Sequence, residues 1–158
     1  MLTNKTKKSI RVCGIIALVL CLLWAVFEVL HFIGLFAGWG GVSEKVEWSE
    51  NKTFKSIFFI AYLISTVALI GLCVKVVFNT LIGMRENNVF PQNNVKPLLL
   101  LAVVSFFYML CWMNQPILHG MNGIHLQGII FILPFLLLFF AFMYKVAADA
   151  VEENNLTI

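Results

Sequence analysis

Four long stretches of the chain are apolar on every side and lack the alternation of a half-buried strand: residues 12–36, 56–82, 97–112 and 128–144. A helix that is apolar all round belongs among lipids or in a deep core. Crossing the hydrocarbon of a bilayer takes about 20 helical residues, with about 17 as the lower limit. The first two runs meet this even if tilted. The third and fourth meet it by extending through residues 113–114 and back to Ile124. The pattern predicts an all-α, polytopic membrane protein: a single domain, residues 1–158, with helices at about 10–37, 56–82, 97–114 and 125–153 packed as a four-transmembrane-helix bundle.

The first run follows a basic head, as a signal peptide would. Its apolar region exceeds the usual 7–15 residues and no A-x-A-like site follows, so it reads as a retained helix.

Small residues recur at helical spacing and let membrane helices approach closely. Gly14, Ala17, Cys21, Ala25 and Glu28 form one stripe on the first helix, which turns Glu28 toward the bundle. The second helix offers Ala61, Ser65, Ala68 and Gly71 or Leu72, and the third Ala102, Ser105 and Tyr108 or Met109. Pro134 falls within the fourth helix and is expected to kink it. Gly34-x-x-x-Gly38 is a weak signal for a homodimer.

Composition agrees with this reading. Of 158 residues, 61% are hydrophobic and 12% charged, with a mean hydropathy of +0.92. In water so much apolar surface would drive association. The formal charge of +3 does not point to nucleic acid, because the basic residues gather at the predicted membrane edges.

The distribution of Lys and Arg sets an expected orientation. Lys5, Lys7, Lys8, Arg11, Lys75, Arg85, Lys96 and Lys145 lie on one side, and only Lys45, Lys52 and Lys55 on the other. The side richer in Lys and Arg is ordinarily cytoplasmic, which predicts both termini inside a cell (inner) membrane. Cys13, Cys21, Cys73 and Cys111 form no C-x-x-C pair and fall on three helices, as buried apolar side chains do.

No catalytic motif stands out, and the chain reads as non-enzymatic with no cofactor. The chemistry-bearing candidates are few. Glu28 and His31 lie one helical turn apart in "WAVFEVLH". Glu28 is 17 residues beyond Arg11, or about 25 Å along the axis, which places it near the outer boundary. His119 and His125 are expected on the same side. Together the four side chains could form an outer-leaflet metal, haem or small-ligand site. The stronger expectation is an interhelical polar clasp, with Glu28 bonded to His, Tyr or Asn side chains. A small transporter would need a midplane charge or an inverted repeat, and neither is visible.

On the cytoplasmic side, Pro97 suits the first turn of the third helix, with Asn93 or Asn94 available as a cap. The tail "YKVAADAVEENNLTI" continues the fourth helix past the membrane, with Val146, Ala147, Ala150 and Val151 on its apolar face. Two segments here, "NNVFPQNNVKPLLLLA" (87–102) and "VEENNLTI" (151–158), resemble signatures of the bacterial four-helix membrane family known as domain of unknown function 2975 (DUF2975). This chain has Asn155 where that family usually has Asp. The resemblance implies an inner-membrane protein, often encoded beside a small helix-turn-helix regulator. It also implies a shared cytoplasmic patch of Phe90, Asn94, Val95, Glu153, Leu156 and Thr157 that binds a partner.

Overall fold

The computed structural model describes residues 4–37, 51–86, 88–119, 124, 126–156, and not the side chains of Asn4, Phe36, Ala37, Glu86, Ile129, Asn155 and Leu156. It is all-helical over these residues. Helix α1 spans Asn4–Ala37, α2 Lys52–Gly83, α3 Val95–Met113 and α4 Ile129–Leu156. All four are long and apolar enough to cross a membrane. Short 3-10 turns at Met84–Glu86, Gln92–Asn94 and Gln115–His119 serve the connections.

Helices α1, α2 and α4 run beyond the apolar stretches that predict them. The 34 residues of α1 extend about 51 Å, well past a hydrocarbon core of about 30 Å. Its basic head is therefore helical outside the lipid, because turns continue past the apolar boundary when no breaker stops them. At the start of α2, Asn51 takes a left-handed conformation (φ 50°, ψ 39°). Asn tolerates that region better than most residues, and its carbonyl accepts Lys55 N–H at 3.0 Å. Helix α3 begins at Val95, so Pro97 sits in its first turn, where an N–H would have no helical partner.

The helices are antiparallel and pack mainly in chain order, α1 on α2, α2 on α3 and α3 on α4. The start of α1, the end of α4 and the turns between α2 and α3 share one end, here the terminal end; the end of α1, the start of α2, the end of α3 and the start of α4 lie at the opposite, distal end. Helix α1 is peripheral: only 6% of its apolar stretch is buried, against 28% for α2 and α3. Lipid must cover the rest, since side chains such as Leu22 and Phe27 are each 67% exposed.

The small-residue stripe of α1 does face α2. A Cβ on Gly14 would stand 2.8 Å from Leu81 Cδ2, and Glu28 is only 6% exposed. The stripe expected on α2 needs correction. Ala61 and Gly71 are exposed, and a Cβ on Gly71 meets nothing within 4 Å. Ser65 is buried as expected, but the rest of the buried surface of α2 is Phe59, Tyr62, Thr66 and Leu69, with Lys55 and Gly83 toward its ends. Large aromatic and aliphatic side chains fill the space between α2 and its neighbours, which leaves Ala61 and Gly71 turned outward. On α3, Ala102 and Ser105 are buried as expected.

Near the distal end, Leu35, Phe59 and Leu118 form an apolar cluster with Phe32 and Phe58 packed on it. Phe32 stands edge-on to Phe59, with ring centroids 5.5 Å apart. Gly34 is buried, while Gly38, the other half of its pair, lies outside the described residues. Pro134 lies within α4, which continues through it. The inward face of α4's extension is also shifted from expectation. Ala141, Tyr144, Ala148 and Val151 turn inward, whereas Val146 and Ala150 are exposed.

Candidate functional site

Two polar centres stand out in this apolar frame, one toward each end of the bundle.

The first is built on Glu28, which α1 presents between α2 and α3. Trp24, one turn earlier on the same helix, donates its indole N–H to Glu28 Oε1 at 2.9 Å. Tyr108 of α3 donates its hydroxyl to the same oxygen at 2.9 Å. Tyr62 of α2 approaches Oε2 at 3.5 Å. Three donors from three helices converge on one buried carboxylate, an arrangement that offsets much of the cost of removing it from water.

Aromatic packing holds these donors in place. Trp24 stands edge-on to Tyr108 at 5.8 Å and 85°. The Tyr62 ring lies 6.0 Å from Tyr108 and 5.1 Å from Phe32. The next turn of α2 is shaped by two hydroxyls, Ser65 Oγ and Thr66 Oγ1, which both donate to Tyr62 O at 2.9 Å. Such back-bonding bends helices locally.

The two residues of "WAVFEVLH" therefore do not bond each other. His31 pairs through Nε2 with the side-chain amide of Gln115, in the turn after α3. His119 lies in the same 3-10 turn with its Nδ1 buried and no hydrogen-bond partner among the described residues. His125 lies outside the described residues. Among the described residues, no three His, Cys, Asp or Glu side chains come close enough to share a metal ion. Glu28 is the clasp in its tyrosine form, with tryptophan as an additional donor.

The second centre is Asn94, at the terminal end. It occupies the N-cap position of α3 but makes no side-chain capping bond. Its amide points inward and donates to Thr80 Oγ1 at 2.9 Å, to Val76 O at 3.0 Å and toward Tyr144 Oη at 3.3 Å. One side chain thus joins α2, α3 and α4. Its own Oδ1 is buried without a hydrogen-bond partner among the described residues, and Asn94 is 0% exposed. Tyr144 in turn donates to Pro91 O at 3.3 Å.

The other residues of the expected patch spread around this centre. Phe90 is 37% exposed and stands against the Tyr144 ring, with centroids 5.4 Å apart. Val95 is half-buried and Glu153 exposed. Leu156 is the last helical residue, its side chain not described, and Thr157 lies outside the described residues. Asn94 is therefore internal to the protein and not part of an exposed face. Gln92, which the sequence did not single out, reaches α4: its Nε2 donates to Asp149 Oδ1 at 2.7 Å and to Glu152 Oε2 at 3.0 Å. The spacing of Asp149 and Glu152, at i and i+3 on one helix face, is the signal that was available for it.

Comparison with family models, curated proteins and solved structures finds no match for this chain.

Proposed function

We propose that this is a non-enzymatic membrane protein whose terminal end is a docking platform for a protein partner. The observation that carries the reading is the bridge from Gln92 to Asp149 and Glu152, which joins the 84–94 connection to the extension of α4. Phe90 on Tyr144 adds an apolar contact to the same junction. Loop and helix extension thus make one surface, with exposed carboxylates beside a part-exposed aromatic ring. Helical partners dock on surfaces of this kind.

The resemblance of residues 87–102 and 151–158 to the four-helix family supplies the class of partner, a small helix-turn-helix regulator. The Lys and Arg distribution supports a cytoplasmic position for this end, where such a regulator would meet it. The decisive experiment is co-purification from native membranes with the regulator encoded beside it. Retention by the full chain and loss on deletion of residues 151–158 supports the reading. No retention, or retention that survives the deletion, ends it.

The alternative of an outer metal or haem site on Glu28, His31, His119 and His125 has weaker support. Glu28 Oε1 already accepts from Trp24 and Tyr108, the His31 Nε2 is engaged by Gln115, and among the described residues no three His, Cys, Asp or Glu side chains come close enough to share a metal ion.

A further inference from the structure

Beside the Glu28 centre, α1 and α2 part to leave a groove of about 340 Å³ that opens sideways from the bundle. Ala25, Phe32, Ile70 and Gly71 line it with apolar surface, and Thr66 and Glu28 are its polar members. A volume of this size lies at the lower end of the range for small-molecule sites, which pair apolar walls with a few placed polar groups.

We propose that this groove binds membrane-dissolved amphiphiles that carry a primary ammonium group, with Glu28 as the counter-charge. Two asymmetries support that choice of ligand. Among the described residues, Glu28 is the only ionisable one lining the groove. Its two oxygens are also unequally used, because among the described residues Oε1 accepts two bonds at 2.9 Å while Oε2 has only Tyr62 at 3.5 Å. Oε2 keeps acceptor capacity for a charge-assisted N–H···O bond. Thr66 does not compete for that role, since its hydroxyl donates to Tyr62 O.

An anionic ligand would meet a like charge here, and a neutral one would leave Oε2 without a strong partner. An ammonium–carboxylate pair is net neutral, which an apolar surround tolerates better than either ion alone. The alkyl tail leaves through the open side among Leu63, Val67 and Val29. Gly71 lines the groove, and nothing stands within 4 Å of where its Cβ would be, so a larger side chain there has room to occupy it. The site is independent of the docking platform and lies in the other half of the bundle.

The test is photo-labelling of the full chain in phosphatidylcholine nanodiscs. A primary alkylammonium with a mid-chain diazirine is compared with the matched alcohol, and labelled residues are mapped by mass spectrometry. The expected result is ammonium-selective labelling of Val29, Leu63 or Val67, displaced by dodecylammonium and not by dodecanol. Glu28→Gln should weaken it by about tenfold or more, the worth of a hydrogen bond to a charged group. Gly71→Phe should abolish it by filling the groove while the Glu28 hydrogen bonds stay in place. Equal labelling by the alcohol, or unchanged selectivity in Gly71→Phe, overturns the proposal even if Glu28→Gln fails to fold.

Discussion

Tyr108 donates its hydroxyl to Glu28 Oε1 at 2.9 Å, and this bond joins α3 to α1 across a separation of 80 residues. Helix α1 buries little of its own apolar surface. Lipid solvates apolar side chains as well as a neighbouring helix does, so packing alone gives α1 weak reason to stay. The carboxylate and its donors supply the specific attachment.

Glu28→Ala should therefore loosen α1. It leaves Trp24, Tyr62 and Tyr108 without their shared acceptor, and we expect a loss of about 2–4 kcal/mol in reversible unfolding in bicelles. Glu28→Gln keeps one acceptor oxygen for Trp24 and Tyr108 and should lose under about 1 kcal/mol. If the two variants are equally stable, the carboxyl group is not what fastens the helix.

Tyr62→Phe and Tyr108→Phe separate the two hydroxyls. The 2.9 Å bond from Tyr108 should cost about 0.5–1.5 kcal/mol on removal, and the 3.5 Å approach of Tyr62 clearly less. Because both act on one carboxylate, the double variant should depart from additivity. An additive cycle would show that the two tyrosines do not share Glu28.

Much of this frame is legible in the sequence, for identifiable reasons. The helices are marked by apolar runs too long to be anything else, and the stripe from Gly14 to Glu28 correctly turns the carboxylate inward. Its partners are legible only in part, since tyrosine is among the expected residue types but the particular tyrosines are not singled out. Trp24 lies one turn before Glu28 on the same helix, so spacing alone exposes it. Tyr62 and Tyr108 meet Glu28 only through interhelical register, which no local pattern encodes. The stripe on α2 holds at Ser65 but misleads at Ala61 and Gly71, because small residues pack inward only where no larger side chain does it better, and Tyr62 and Phe59 do. Asn94 misleads differently: a cap position and a buried hydrogen-bond hub require the same residue type at the same place.

Asn94→Ala should test that hub. It removes the amide shared by Val76, Thr80 and Tyr144 and leaves a small cavity between three helices. A loss of about 1–3 kcal/mol is expected, with faster amide hydrogen exchange concentrated at the start of α3. Exchange unchanged there would mean that backbone packing, and not Asn94, orders the junction.

Two glycines offer a final contrast, because both sit at close approaches but meet different neighbours. A Cβ on Gly14 would press on Leu81 Cδ2 at 2.8 Å, the far end of a flexible side chain that can rotate away. A Cβ on Gly83 would stand 2.6 Å from the carbonyl oxygen of Asn88. That backbone is held in turn by the Asn88 N–H, which donates to Gly83 O at 2.8 Å, so the turn cannot yield without losing its own bond. Gly14→Ala should cost under about 1 kcal/mol, and Gly83→Ala about 1–3 kcal/mol. Thermal unfolding of the two variants in the same detergent checks the order. Since Gly83 leads into the connection that carries Phe90 and Gln92, the same variant should also weaken retention of a partner at the terminal end, while Gly14→Ala leaves it intact.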